Sequence, residues 1–167
     1  MSKRIKDLYL LIMYLLAFAG IVLLVAAGAD RIWMYLLFST CWLFSFTTRN
    51  LLFYNTDGYR KLAYITYFIE AGLLMWAVAA GAGGSVRLLL CITLADCFIV
   101  WGLAYGSAYL SVIILCYILQ YGITHSLNAK NILLIIYQES PLPVITGLVS
   151  YLVGRVFKSS MLLENSI

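Results

Sequence analysis

Charge is scarce in this chain of 167 residues: seven acids and eleven bases make 11% of it charged, against 64% hydrophobic. A soluble domain carries about a quarter charged residues and just under half apolar ones, so a soluble monomer is excluded. Proline occurs twice, histidine once and cysteine four times. Cys41, Cys91, Cys97 and Cys116 all lie inside apolar runs with no C-x-x-C spacing, so they read as small buried hydrophobes, with neither a zinc site nor a disulfide framework signalled. No G-x-x-x-x-G-K, H-E-x-x-H or G-x-S-x-G motif occurs, which leaves phosphate binding and hydrolysis without residues to carry them. No catalytic residue, metal ligand set or cofactor is expected. The formal charge of +4 collects at the two ends and in one loop. That distribution suits anionic lipid headgroups and a membrane partner, and argues against nucleic acid.

What is present in quantity is long apolar runs. About 20 apolar residues cross the roughly 30 Å hydrocarbon layer, and runs of this kind consume most of the chain. The expected fold is all-α: a single polytopic membrane domain of six transmembrane helices with short loops. The spans are placed at about 8–28, 32–48, 62–80, 88–105, 109–124 and 141–157. The first is too long for a signal-peptide core and lacks a convincing cleavage site before Asp30 and Arg31. Polar turns are expected at Asn55 to Gly58, at Gly81 to Ser85, and at Gly106 to Ala108, the last joining spans four and five as an antiparallel hairpin. Between Lys130 and Gln138 the pattern fits an interfacial segment, with span six starting near Pro141 and Pro143 because proline is tolerated in a first helical turn; one long helix broken at those prolines is the alternative.

Orientation follows from lysine and arginine near span ends. With the N-terminus inside, Lys3, Arg4, Lys6, Arg49, Arg60, Lys61, Arg155 and Lys158 are cytoplasmic, eight against Arg31, Arg87 and Lys130 outside. Six spans then leave both termini cytoplasmic, in a multi-pass protein of the cell membrane.

An ionisable group inside a span costs about 2.5 to 3.5 kcal/mol even on the lenient insertion scale, so it marks function by default. Glu70 and Asp96 qualify. Each lies nine residues beyond a basic residue, Lys61 and Arg87 respectively, or about 13 Å along a helix. With spans three and four as neighbours, the two carboxyls differ in depth by about 4 Å. They are therefore candidates for a polar switch that shares a proton or binds a cation or hydroxyl-bearing ligand. The structural alternative is helix pairing, with the acids bonded to Tyr64, Tyr67, Thr66, Thr93 or Ser107. Lys3, Arg4, Lys6, Arg49, Arg60 and Lys61 form a cytoplasmic basic patch, either contacting lipid phosphates or simply recording topology. His125 and Glu139 are outer-face candidates: a pH sensor or plain interfacial residue, and a ligand contact or helix cap. Gly72, Ala79, Ala80, Ala95, Gly102 and Gly106 offer close-approach surfaces.

Four stretches carry a resemblance: Arg49-Asn50-Leu51 entering a polar loop, YITYFIEAGLL from Tyr64 to Leu74, LCITLADCFI from Leu90 to Ile99, and LPVITGLVSYLVGRVF from Leu142 to Phe157. Their order resembles the membrane input region of bacterial sensor histidine kinases, the multi-span type related to nitrate-responsive and membrane-fluidity-responsive kinases. The resemblance implies a homodimer through the C-terminal helix, an ATP-dependent kinase core after it, and a response regulator as partner if that core follows. Val153, Val156, Ser160, Leu163 and Ile167 keep a 3-4-3-4 spacing that runs from the last span into the start of a cytoplasmic linker helix at 158–167. The sequence is thus expected to be a truncation ahead of the kinase core. A small transporter, or the substrate-binding membrane subunit of one, is the rival expectation.

Overall fold

The computed structural model describes residues 3–27, 32–55, 60–79, 83–124 and 128–164. Among the described residues there are seven α-helices and no strand: α1 (Lys3–Ala27), α2 (Ile32–Asn55), α3 (Arg60–Ala79), α4 (Gly83–Trp101), α5 (Leu103–Thr124), α6 (Ala129–Glu139) and α7 (Pro141–Glu164). The all-helical class stands. The count of six does not: among the described residues three helices are long and apolar enough to cross a membrane, α1, α3 and α5, or four if the bent α6–α7 pair is one span. For α2 the expectation is corrected by its polar load: the helix carries Ser39, Thr40, Ser45, Thr47, Thr48 and Arg49 along its length.

Several boundaries also move. Helix α2 continues through Arg49 and Asn50 to Asn55 rather than ending near residue 48. The expected turn at Gly106 to Ala108 is helical, and the break falls at Gly102 instead, where φ is +85°. That left-handed conformation suits glycine, which has no Cβ to clash. Phe98, four residues before the break, packs its ring on Gly106, four residues after it; a β-carbon at Gly106 would lie 2.5 Å from that ring.

Helices α6 and α7 are bent by 45° at Ser140. Asn128 caps α6, its side chain accepting from the Asn131 amide at 2.8 Å. At the other end the Ser140 amide donates to the Ile136 carbonyl at 3.0 Å, and the Ser140 hydroxyl donates to the same oxygen. Pro141 opens α7, where its missing N–H costs no helical bond. Residues 165–167, and with them Ile167 of the heptad, lie outside the described residues, as do the side chains of Ser160 and Leu163.

The chain divides into two compact units, residues 1–18 with 94–167 (unit 1) and residues 19–93 (unit 2). In unit 2, α2 packs against α3. Its buried residues, Tyr35, Phe38, Ser39, Trp42, Phe46, Arg49 and Asn50, recur every three or four positions and so share one face. Helix α3 answers with Ala63, Tyr67, Glu70, Ala71, Leu74 and Ala77. In unit 1, α5 packs against α6 and α7, and α6 against α7. The buried strip of α7 is Pro143, Gly147, Ser150 and Gly154, while Leu142, Ile145, Leu148, Val149, Leu152 and Val156 are exposed. Leucines are similarly exposed along α1 and α5, with Phe18 beside them on α1. Apolar surface on this scale marks a membrane or protein contact, and on helices of this length a lipid-facing side accounts for it.

Candidate functional site

The most polar part of the buried interior lies in unit 2, where three helices converge on one carboxylate. Glu70, on the inward face of α3, is fully buried. Its Oε1 accepts from Arg49 Nη1 of α2, forming an ion pair, and from Ser45 Oγ, also of α2, at 3.1 Å. Its Oε2 lies 3.3 Å from Thr93 Oγ1 of α4. Ser45 and Arg49 stand four residues apart, so one turn of α2 presents both to the same acid.

Arg49 is itself 1% exposed. Its guanidinium carbon lies 4.0 Å from the ring centroid of Tyr67 and 5.0 Å from that of Phe46, so two aromatic rings and a carboxylate surround the charge. Cation–π contacts of this kind contribute about 0.5 to 2 kcal/mol each, more as water is excluded. Trp42 stacks on Phe46, centroids 5.3 Å apart and planes within 18°, and extends the aromatic wall by one turn of α2. A buried ion pair of this kind returns little net stability over apolar packing. Removing one partner, by contrast, strands a charge and costs about 3 to 5 kcal/mol.

The other intramembrane acid lies in unit 1. Asp96 of α4 is 1% exposed, and its Oδ1 accepts from the phenol of Tyr9 on α1, itself buried. A phenol supplies a proton to share but no compensating positive charge. Around Asp96 the packing is close: Phe98 reaches Gly147 of α7 as well as Gly106 of α5, and a β-carbon at Gly154 would lie 3.1 Å from the backbone of Ile99.

Each acid singled out from the sequence has partners within its own unit. Glu70 is joined to Arg49, Ser45 and Thr93 within unit 2, and Asp96 to Tyr9 within unit 1. Of the hydroxyls proposed as partners, Thr93 is one; Thr66 and Ser107 instead donate to the carbonyls of Ala63 and Ala104 on their own helices. Tyr67 serves Arg49 through its ring. Arg49 does not belong to an exposed basic patch, because the buried carboxylate of Glu70 draws it inside. Lys61 is exposed; the side chains of Lys3, Arg4, Lys6 and Arg60, and all of His125, lie outside the described residues. Glu139 is the last residue of α6, and Ser140 follows it at the junction, its carbonyl accepting from the Val144 amide at 3.0 Å.

Sequence reasoning missed Arg49 as the partner of Glu70, together with Ser45 and Tyr9. A signal for Arg49 existed: Leu51, Leu52, Phe53 and Tyr54 follow it, so the apolar run did not end there. Among the described residues no cluster of three or more His, Cys, Asp or Glu is placed to hold a metal ion. Compared with protein-family models, curated proteins and solved structures, the chain matches none.

Proposed function

We propose that this helical module is the membrane-embedded input region of a two-component sensor histidine kinase in a bacterial cell membrane. It relays a bilayer or intramembrane stimulus through α7 to a cytoplasmic, dimeric kinase core carried outside these residues, and both ends lie on the cytoplasmic side, where the bases near each end favour placing them. The observation that carries the reading is the Arg49–Glu70 pair. A charge couple buried among apolar helices is costly to keep and costlier to split. It therefore has two well-separated arrangements, closed and broken, and a stimulus that favours one over the other shifts the helices that hold it. Three helices meet at that couple, so its state sets their packing.

The test is a chimera that joins the chain, in heptad register, to a histidine kinase core and is reconstituted in vesicles. Arg49→Gln and Glu70→Gln each change autophosphorylation by about tenfold or more, the change a bias of about 1.4 kcal/mol produces. Folded single variants whose output equals that of the parent chimera would end the proposal. A transporter is the second reading, favoured by the break between α6 and α7, because discontinuous helices line transporter substrate sites. Solute uptake into vesicles by the chain alone would select it.

A further inference from the structure

We propose that Glu70, Ser45 and Thr93 form a binding site for a small monovalent cation, sodium foremost, in which the guanidinium of Arg49 is a tethered occupant. Four side-chain oxygens converge there from three helices: both carboxylate oxygens of Glu70 on α3, Ser45 Oγ of α2 at 3.1 Å from one, and Thr93 Oγ1 of α4 at 3.3 Å from the other. Carboxylate and hydroxyl oxygens are hard donors suited to alkali and alkaline-earth cations.

The hydroxyls are free to turn lone pairs inward. Thr93 Oγ1 also lies 3.1 Å from the carbonyl of Leu89, one turn back on α4, so its proton has a second acceptor. A helical serine has the same recourse to the carbonyl four residues before it. Charge balance fixes the valence. One buried carboxylate neutralises one positive charge, as it does for Arg49, whereas a divalent ion would leave a net charge buried at several kcal/mol.

The displaced guanidinium has somewhere to go. Arg49 lies six residues before the end of α2 at Asn55, about 9 Å along the helix, and a long arginine side chain near a helix end reaches the interface by snorkelling. Arg49 on Glu70 and sodium on Glu70 are then two states of one site. This names the ligand class for the pair read above as a switch; the effect of the cation on output rests on that reading, and its binding does not.

The experiment uses the full chain in lipid nanodiscs, comparing the thermal unfolding midpoint in sodium chloride with that in N-methyl-D-glucamine chloride at equal ionic strength. Sodium raises the midpoint of the wild type. Arg49→Met, which removes the tethered competitor, lowers the half-effective sodium concentration at least about tenfold; Arg49→Lys, the more conservative change, lowers it less. Glu70→Gln abolishes the sodium effect, and Ser45→Ala and Thr93→Val each raise the half-effective concentration. Equal midpoints in the two salts for folded Arg49→Met or Arg49→Lys would overturn the proposal. So would stabilisation of Arg49→Met by acid with none by sodium, which would make Glu70 a proton acceptor only. Sodium binding without any change in the kinase chimera's output would leave the cation site standing and remove the sensing role.

Discussion

Unit 2 and unit 1 each bury one acid, and they treat it differently. Glu70 receives a full positive charge and two hydroxyls from neighbouring helices, while Asp96 receives a phenol. The surroundings differ in kind as well. Arg49 brings bulky aromatics, Phe46 and Tyr67, around the first acid. Near the second the Phe98 ring lies on Gly106 and Gly147, and Gly154 comes to backbone distance from Ile99. Removing the acid leaves a guanidinium, a permanent charge, in the first case and a phenol in the second. The difference teaches that the acid alone does not define a polar site in an apolar fold; the partner's charge decides how sharply its two states are separated.

The comparison sharpens most in leucine substitutions. Glu70→Leu removes the carboxylate that holds the Arg49 guanidinium in the interior and costs about 3 to 5 kcal/mol, whereas Asp96→Leu leaves a phenol and costs about 1 to 3 kcal/mol. Reversible unfolding in mixed micelles of dodecyl maltoside and SDS measures both, and equal costs would break the distinction. Next in size are the glycines of unit 1. Gly106→Ala places a methyl group 2.5 to 2.8 Å from the base of the Phe98 ring and costs about 1 to 3 kcal/mol by overpacking. Gly154→Ala meets the Ile99 backbone at 3.1 Å, forcing α7 outward by a few tenths of an ångström, and falls at the lower end of that range. The smallest effect is at Gly72 on α3, where a β-carbon meets nothing within 4 Å. Gly72→Ala should stabilise by up to about 1 kcal/mol through helix propensity, in the same titration. A loss there as large as that at Gly106 would show that the glycines do not differ by packing.

Fold class was legible because composition and long apolar runs constrain it strongly, and the junction at Pro141 because proline lacks the amide a helix interior needs. The span count was not, because counting apolar residues discounts polar groups that find partners inside the protein. Arg49 shows the reason: a basic residue near the end of a run reads as a membrane-edge marker until the fold brings a carboxylate against it from another helix. Glu70 was visible as an intramembrane acid, and its hydroxyl partner Thr93 was among the residues considered. The pairing of Arg49 with Glu70 across 21 positions, and of Tyr9 with Asp96 across 87, is tertiary information that no local spacing carries. The break at Gly102 was equally hidden, since Gly106 offers the same residue type yet stays helical, its amide donating to the Gly102 carbonyl at 3.0 Å.

Arg49 and Glu70 act as one energetic unit. A double-mutant cycle measures this directly, using Arg49→Met, Glu70→Leu and the double variant in the same unfolding titration. The predicted coupling is about 2 to 3 kcal/mol, with the double variant closer to the wild type than either single variant. Costs that add to within about 0.5 kcal/mol would contradict it.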